Sequence, residues 1–112
     1  MKIVRCSWFP PKGYKAIMLA WWLVVKTNAV ITAKFINHEE IHGRQQKEML
    51  VLPFFIWYGL EFVLRLLQYW NWHTAYRNIS FEREAYANET NLGYLSERKR
   101  YAWIHYLKLK KL

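Results

Sequence analysis

His38-Glu39-Glu40-Ile41-His42 sets two imidazoles four residues apart, with a carboxylate directly after the first. On an α-helix that spacing projects both rings from one face, a turn apart. Rings so placed converge on one tetrahedral zinc ion, and a spacing of three or five would move one of them off it. Glu39 lies about 100° round the helix from His38. It is outside the ligand pair and beside the open position of the metal. There it suits a general base, which takes a proton from water attacking a carbonyl and hands it to the leaving amine. The competing reading is a pair of ordinary core histidines. That reading needs a partner for every ring nitrogen, because burying unpaired imidazoles costs stability.

A zinc site of the catalytic kind needs a third protein ligand. Carboxylates recur downstream in Phe81-Glu82-Arg83-Glu84-Ala85-Tyr86-Ala87-Asn88-Glu89. If this segment is helical, Glu82 and Glu84 point about 200° apart and cannot both reach one ion. With these residues the chain resembles the gluzincin metallopeptidases, the thermolysin-like group in which H-E-x-x-H is followed by a glutamate ligand. That ligand opens an E-x-x-x-D element, often E-x-x-A-D or E-x-x-A-N, on a later helix. Glu82-Arg83-Glu84-Ala85-Tyr86 aligns Glu82 with the ligand and Ala85 with the small residue, about forty residues after the histidines. The resemblance covers Tyr14 to about Leu92 and is closest to very small gluzincin domains. It implies metal ligands His38, His42 and Glu82, a Zn²⁺ cofactor, Glu39 as catalytic base, and a peptide or protein substrate paired to an edge strand. Tyr86 departs from the pattern, since an Asp or Asn usually stands there and orients a ligand histidine. The chain has no Asp. Glu89, one stripe along from Glu82, or a backbone carbonyl must hold that N–H. His73, Tyr76, Tyr94, Tyr101 and His105 are eligible to stabilise an oxyanion.

The elements that must position these groups are legible in the apolar pattern. Met1–Gly13 reads as irregular. Tyr14–Val25 reads as a strand, Lys26-Thr27-Asn28 as a turn, and Ala29-Val30-Ile31 as a short second strand. From Thr32, a candidate N-cap, the period changes. Ile31, Phe35, His38, His42, Gln45 and Met49 form an inward stripe, with Asn37 on another face. That helix is expected to end near Met49, ahead of Pro53. A second helix is expected over Pro53–Trp70, with Glu61, Arg65 and Gln68 on its polar side. Asn71–Asn78 reads as a loop. A third helix, capped by Asn78 or Ser80, should run to Leu92 and stop at Gly93. A fourth should cover about Ser96–Leu109. The expected fold is α+β, a mainly helical zincin-like single domain over residues 1–112 with a short N-terminal hairpin or sheet.

Composition bounds the partners. Seven Trp, eight Tyr and six Phe are more rings than a 112-residue domain can bury. The surplus is expected to line a groove, a partner surface or a membrane interface. The formal charge is +9, and all eight acidic residues are Glu. Such a surface favours anionic partners, and peripheral membrane contact is expected rather than a clean transmembrane span. No finger spacing or base-stacking strand motif predicts specific nucleic-acid binding. Cys6 is the only cysteine, and the first residues lack a signal-peptide pattern, so a cytoplasmic setting, in the cytosol or on the cytosolic side of a membrane, is expected. The function expected from the residues is zinc-dependent peptide-bond hydrolysis. The alternative is a catalytically inactive zinc-binding or membrane-surface regulatory module.

Overall fold

The computed structural model describes residues 2–8 and 15–107. The fold is α+β. Three strands, β1 (Lys2–Cys6), β2 (Ala16–Leu19) and β3 (Trp22–Lys26), precede helices α1 (Ala33–Met49), α2 (Val51–Tyr69), α3 (Trp72–Arg77), α4 (Ser80–Asn88) and α5 (Tyr94–Glu97). A 3-10 helix, Ala102–Tyr106, follows.

The strands form one sheet in the order β1-β3-β2, with β2 antiparallel and β1 parallel to β3. Two expectations are corrected here. The segment read as irregular contains strand β1, whose register pairs Ile3 with Leu23 and Val4 with Val24. Parallel pairing is non-local, so the neighbouring Pro10-Pro11 said nothing about it. The apolar run read as one strand is two, turned at Ala20-Trp21 with Ala20 at φ 52°, and the expected turn at Lys26-Thr27-Asn28 follows, where the Ala29 N–H donates to the Lys26 carbonyl at 3.1 Å. Residues 29–31 then lead to α1 outside any strand; Ile31 packs on Met18, Leu23 and Val25. Tyr14 lies outside the described residues.

Helix α1 begins as its sequence dictates, with Thr32 Oγ1 accepting from the Phe35 N–H at 3.1 Å. It packs closely on β2 at Gly43, where a Cβ would meet Met18 Cε at 2.6 Å and the Ala20 carbonyl at 3.1 Å. Gln46 fastens this contact: its amide donates to the Met18 carbonyl and its oxygen accepts from the Ala20 N–H. The chain then reverses at Leu50, φ 64°, into α2, where Pro53 occupies the first turn and leaves no intrahelical N–H unmade.

α2 is inverted relative to the usual amphipathic plan. Glu61 and Arg65, read as its polar side, are buried. Glu61 accepts from the Ser80 N–H and hydroxyl, both at 2.6 Å. It therefore caps α4 from another helix, and the expected cap from Asn78 or from the side chain of Ser80 is not used. Arg65 in turn donates to Glu61 and to the Leu107 carbonyl. The Phe54, Ile79, Phe81 and Trp103 cluster closes this side of the molecule, and Met18, Leu23 and Val25 form a second core beneath the sheet.

The remaining corrections follow from polar ties. The expected loop at 71–78 holds helix α3, started by Asn71, whose side chain accepts from the Thr74 N–H. α4 ends at Asn88 rather than Leu92. The Asn37 amide, buried instead of facing outward, binds the carbonyls of Asn88, Glu89 and Asn91 and takes over the end of the helix. The expected fourth helix is two pieces, α5 and the 3-10 helix. They are separated where Arg98 turns inward onto Glu48 and Glu84. Residues 108 and 109 lie outside the described part.

Candidate metal centre

His38 and His42 project from the buried face of α1, with ring centroids 4.9 Å apart and planes at 79°. Glu82 approaches from the first turn of α4 and is 3 % exposed, so it is not a solvated helix-end carboxylate. Its Oε1 lies 3.2 Å from His38 Nε2 and 3.1 Å from His42 Nε2. One ligand atom from each of the three residues falls within 4.8 Å of the others.

The far side of each ring is also held. His38 Nδ1 lies 3.0 Å from Glu89 Oε2, and His42 Nδ1 lies 2.9 Å from Gln45 Oε1. The Gln45 amide nitrogen donates to the Phe81 carbonyl and to Glu84 Oε1, which turns its oxygen toward His42. Both Nδ1 atoms therefore act as donors, and both Nε2 atoms face the same carboxylate oxygen. Two imidazole lone pairs against a carboxylate repel unless a positive charge lies among them. A proton or a metal cation meets that need. The donor set of two imidazole nitrogens and one carboxylate oxygen, with each ring oriented from behind, fits a divalent metal ion.

Charge and burial shift these groups strongly. Burial by itself would lower the His42 pKa, but the Glu82 carboxylate against the ring raises it to about 9. Burial would likewise raise Glu82, yet His42 and His38 hold it well below the usual carboxylate range. Tyr58 donates its hydroxyl to Glu82 Oε2 at 2.7 Å, and burial together with that carboxylate pushes its own pKa far upward.

Glu39 is set apart from the three. It is half-buried and lines two neighbouring cavities, a cleft of about 940 Å³ that also reaches His38 and a smaller one of about 350 Å³ that reaches His42 and Glu82. Among the described residues no hydrogen bond or ion pair reaches its carboxylate. Burial raises its pKa, against the pull of His42 and His38.

No protein-family model, curated protein or solved structure matches this chain.

The structure separates the remaining candidates. Glu84 is fully buried but turned away from the three ligand atoms. It binds Gln45, the Tyr94 hydroxyl at 2.7 Å and the Arg98 guanidinium. It thus supports His42 through Gln45 instead of competing with Glu82. Tyr86 packs against His38 in an edge-type contact, centroids 4.5 Å apart, and the Arg77 guanidinium lies 3.7 Å from its ring centre. The carboxylate behind His38 comes from Glu89 instead. His73 and Tyr76 line the large cleft. Tyr94 and Tyr101 are engaged elsewhere, by Glu84 and by the Glu48 carbonyl, and His105 is exposed. Sequence reasoning missed Tyr58 and the role of Gln45. Tyr58 carried a weak signal, a hydroxyl inside the otherwise apolar run Val51–Leu60. Gln45 lay on the inward stripe, where a polar side chain must find partners.

Proposed function

We propose that the chain is a zinc-dependent hydrolase of peptide bonds, resembling the gluzincins in its ligand set and base. The observation that carries this reading is the convergence of His38 Nε2, His42 Nε2 and Glu82 Oε1, with an unpaired carboxylate, Glu39, beside them in a cleft. Among the described residues three side chains converge; a tetrahedral zinc held by them would keep a fourth position open, as catalytic sites do and closed structural ones do not. Zinc is favoured over harder cations by the two imidazoles.

The chemistry that zinc supplies when bound is Lewis acidity, which acidifies water and polarises a carbonyl. The protein's own groups do the rest. Glu39 accepts a proton from the attacking water as its oxygen bonds to the peptide carbonyl carbon. As the C–N bond breaks, Glu39 returns that proton to the amine nitrogen. Tyr76 and His73, which line the same cleft, are the candidate donors to charge on the carbonyl oxygen. Tyr58 fixes the Glu82 carboxylate through Oε2, so that Oε1 would be available to hold the metal. The smaller cavity, walled by Ile17, Met18, Phe54 and Phe55, suits an apolar substrate side chain.

The test is metal analysis with a peptide-library cleavage assay on the wild type, Glu82→Gln, His42→Ala and Glu39→Gln. The wild type should hold one zinc per chain and cleave. Glu82→Gln and His42→Ala should lose zinc. Glu39→Gln should keep zinc and lose about 10²- to 10⁴-fold in rate. Equal cleavage by wild type and Glu39→Gln, or no cleavage by a zinc-loaded wild type, would overturn the reading.

A further inference from the structure

The outward face of α2 has a composition that water does not favour. None of its exposed positions carries a polar side chain. Leu52, Ile56, Leu60, Val63, Leu64 and Leu67 are each more than half exposed. By length and composition this 19-residue helix could cross a membrane. Its other face argues against crossing, because Phe54, Glu61 and Arg65 are buried against the protein and the two charged groups hold Ser80 and the Leu107 carbonyl. A helix anchored along one face and apolar along the other lies flat in an interface.

Both ends carry groups suited to a lipid headgroup layer. At the C-terminal end stand Trp70 and Trp72, 81 % and 64 % exposed. Tryptophan concentrates at that depth because its ring is apolar and its N–H polar. At the N-terminal end, exposed Lys47 precedes Glu48, which binds the Tyr101 N–H and, through its carbonyl, the Tyr101 hydroxyl. That contact brings the chain after exposed Lys99 and Arg100 to the same end. Trp57 of this helix packs on Trp103, whose chain neighbour Ile104 is 49 % exposed. Charge decides between two occupants of this face. Two copies of a chain carrying +9 repel, whereas an anionic bilayer attracts each of them.

We infer that the outward face of α2 rests on the surface of an anionic lipid bilayer, with its leucines among the acyl chains and its basic end at the headgroups. Phe62 packs on Trp72, and both line the large cleft, so the docked protein holds the mouth of that cleft at the lipid boundary. The docking does not depend on what the cleft does.

The experiment is vesicle flotation of the full chain, with phosphatidylcholine alone and with phosphatidylcholine mixed with phosphatidylglycerol. The wild type should float with the anionic vesicles and be released by salt or alkaline carbonate. The double variant Leu60→Glu/Leu64→Glu should lose binding on the order of a hundredfold, with unchanged helical circular dichroism. A variant of matched charge change on strand β1, Lys2→Glu, should bind within a few-fold of the wild type. Four results would overturn the inference: wild type that stays unbound, flotation retained by the double variant, binding that resists carbonate, or a wild-type dimer that the double variant dissociates.

Discussion

Glu89 Oε2 lies 3.0 Å from Nδ1 of His38, one turn beyond the position where a gluzincin-like pattern carries its orienting Asp or Asn. Tyr86 at that position stacks its edge on the same ring. The carboxylate that holds the back of His38 is thus carried by the C-cap residue of α4. Asn37 secures it, since its amide binds the Glu89 carbonyl at 2.9 Å.

Glu89→Gln should therefore weaken metal binding about 10- to 100-fold without changing its stoichiometry, because a neutral amide orients the ring but adds less to its basicity. Competition with a chromophoric chelator measures this. Tyr86→Phe removes no group bonded to His38 and should leave the affinity within a few-fold. Equal losses in both variants would assign the effect to packing alone.

The metal-free protein should lose stability as pH rises. Glu82 raises the folded His42 pKa to about 9, against an unfolded value near 6.5. The folded state holds the extra proton between those values. Its stabilisation is thus complete below about pH 6.5 and is lost as pH climbs through about 9. Thermal melts of metal-free protein over that window should show a falling Tm, and a His42→Ala variant should show a flatter one. Metal binding must displace the same proton. Calorimetry in buffers of different ionisation enthalpy should then record proton release on zinc addition. Release should shrink above about pH 9.

Glu61→Ala should be among the most damaging single changes distant from the candidate metal centre. It strips the cap from the Ser80 N–H at the start of α4 and leaves Arg65 buried without its carboxylate. Breaking a buried pair from one side costs about 3–5 kcal/mol. Because α4 carries Glu82, zinc affinity should fall with stability. Denaturant melts with and without zinc measure both, and a loss below about 1 kcal/mol would mean that water replaces the cap.

The sequence alone determined what depends on neighbours along the chain. Four-residue spacing places His38 and His42 on one helical face whatever surrounds them, and Thr32 starts that helix by a bond three residues long. Glu82 and Glu84 had to diverge for the same geometric reason. The α+β class followed from the change of apolar period at Thr32. Tertiary structure decided what depends on partners far away. Whether Glu82 or a neighbour meets the histidines depends on how α4 packs on α1, forty residues away. That packing rests on Glu61, Asn37 and Gln45, whose hydrogen bonds periodicity does not register. Strand β1 was hidden because its partner, β3, pairs with it in parallel across about twenty residues. The burial of the polar side of α2 has a further reason. Polar residues outside and apolar residues inside is the rule for water on every side. A helix whose charged groups are buried in holding the protein together, and whose outward face is apolar, reverses it without altering its periodicity.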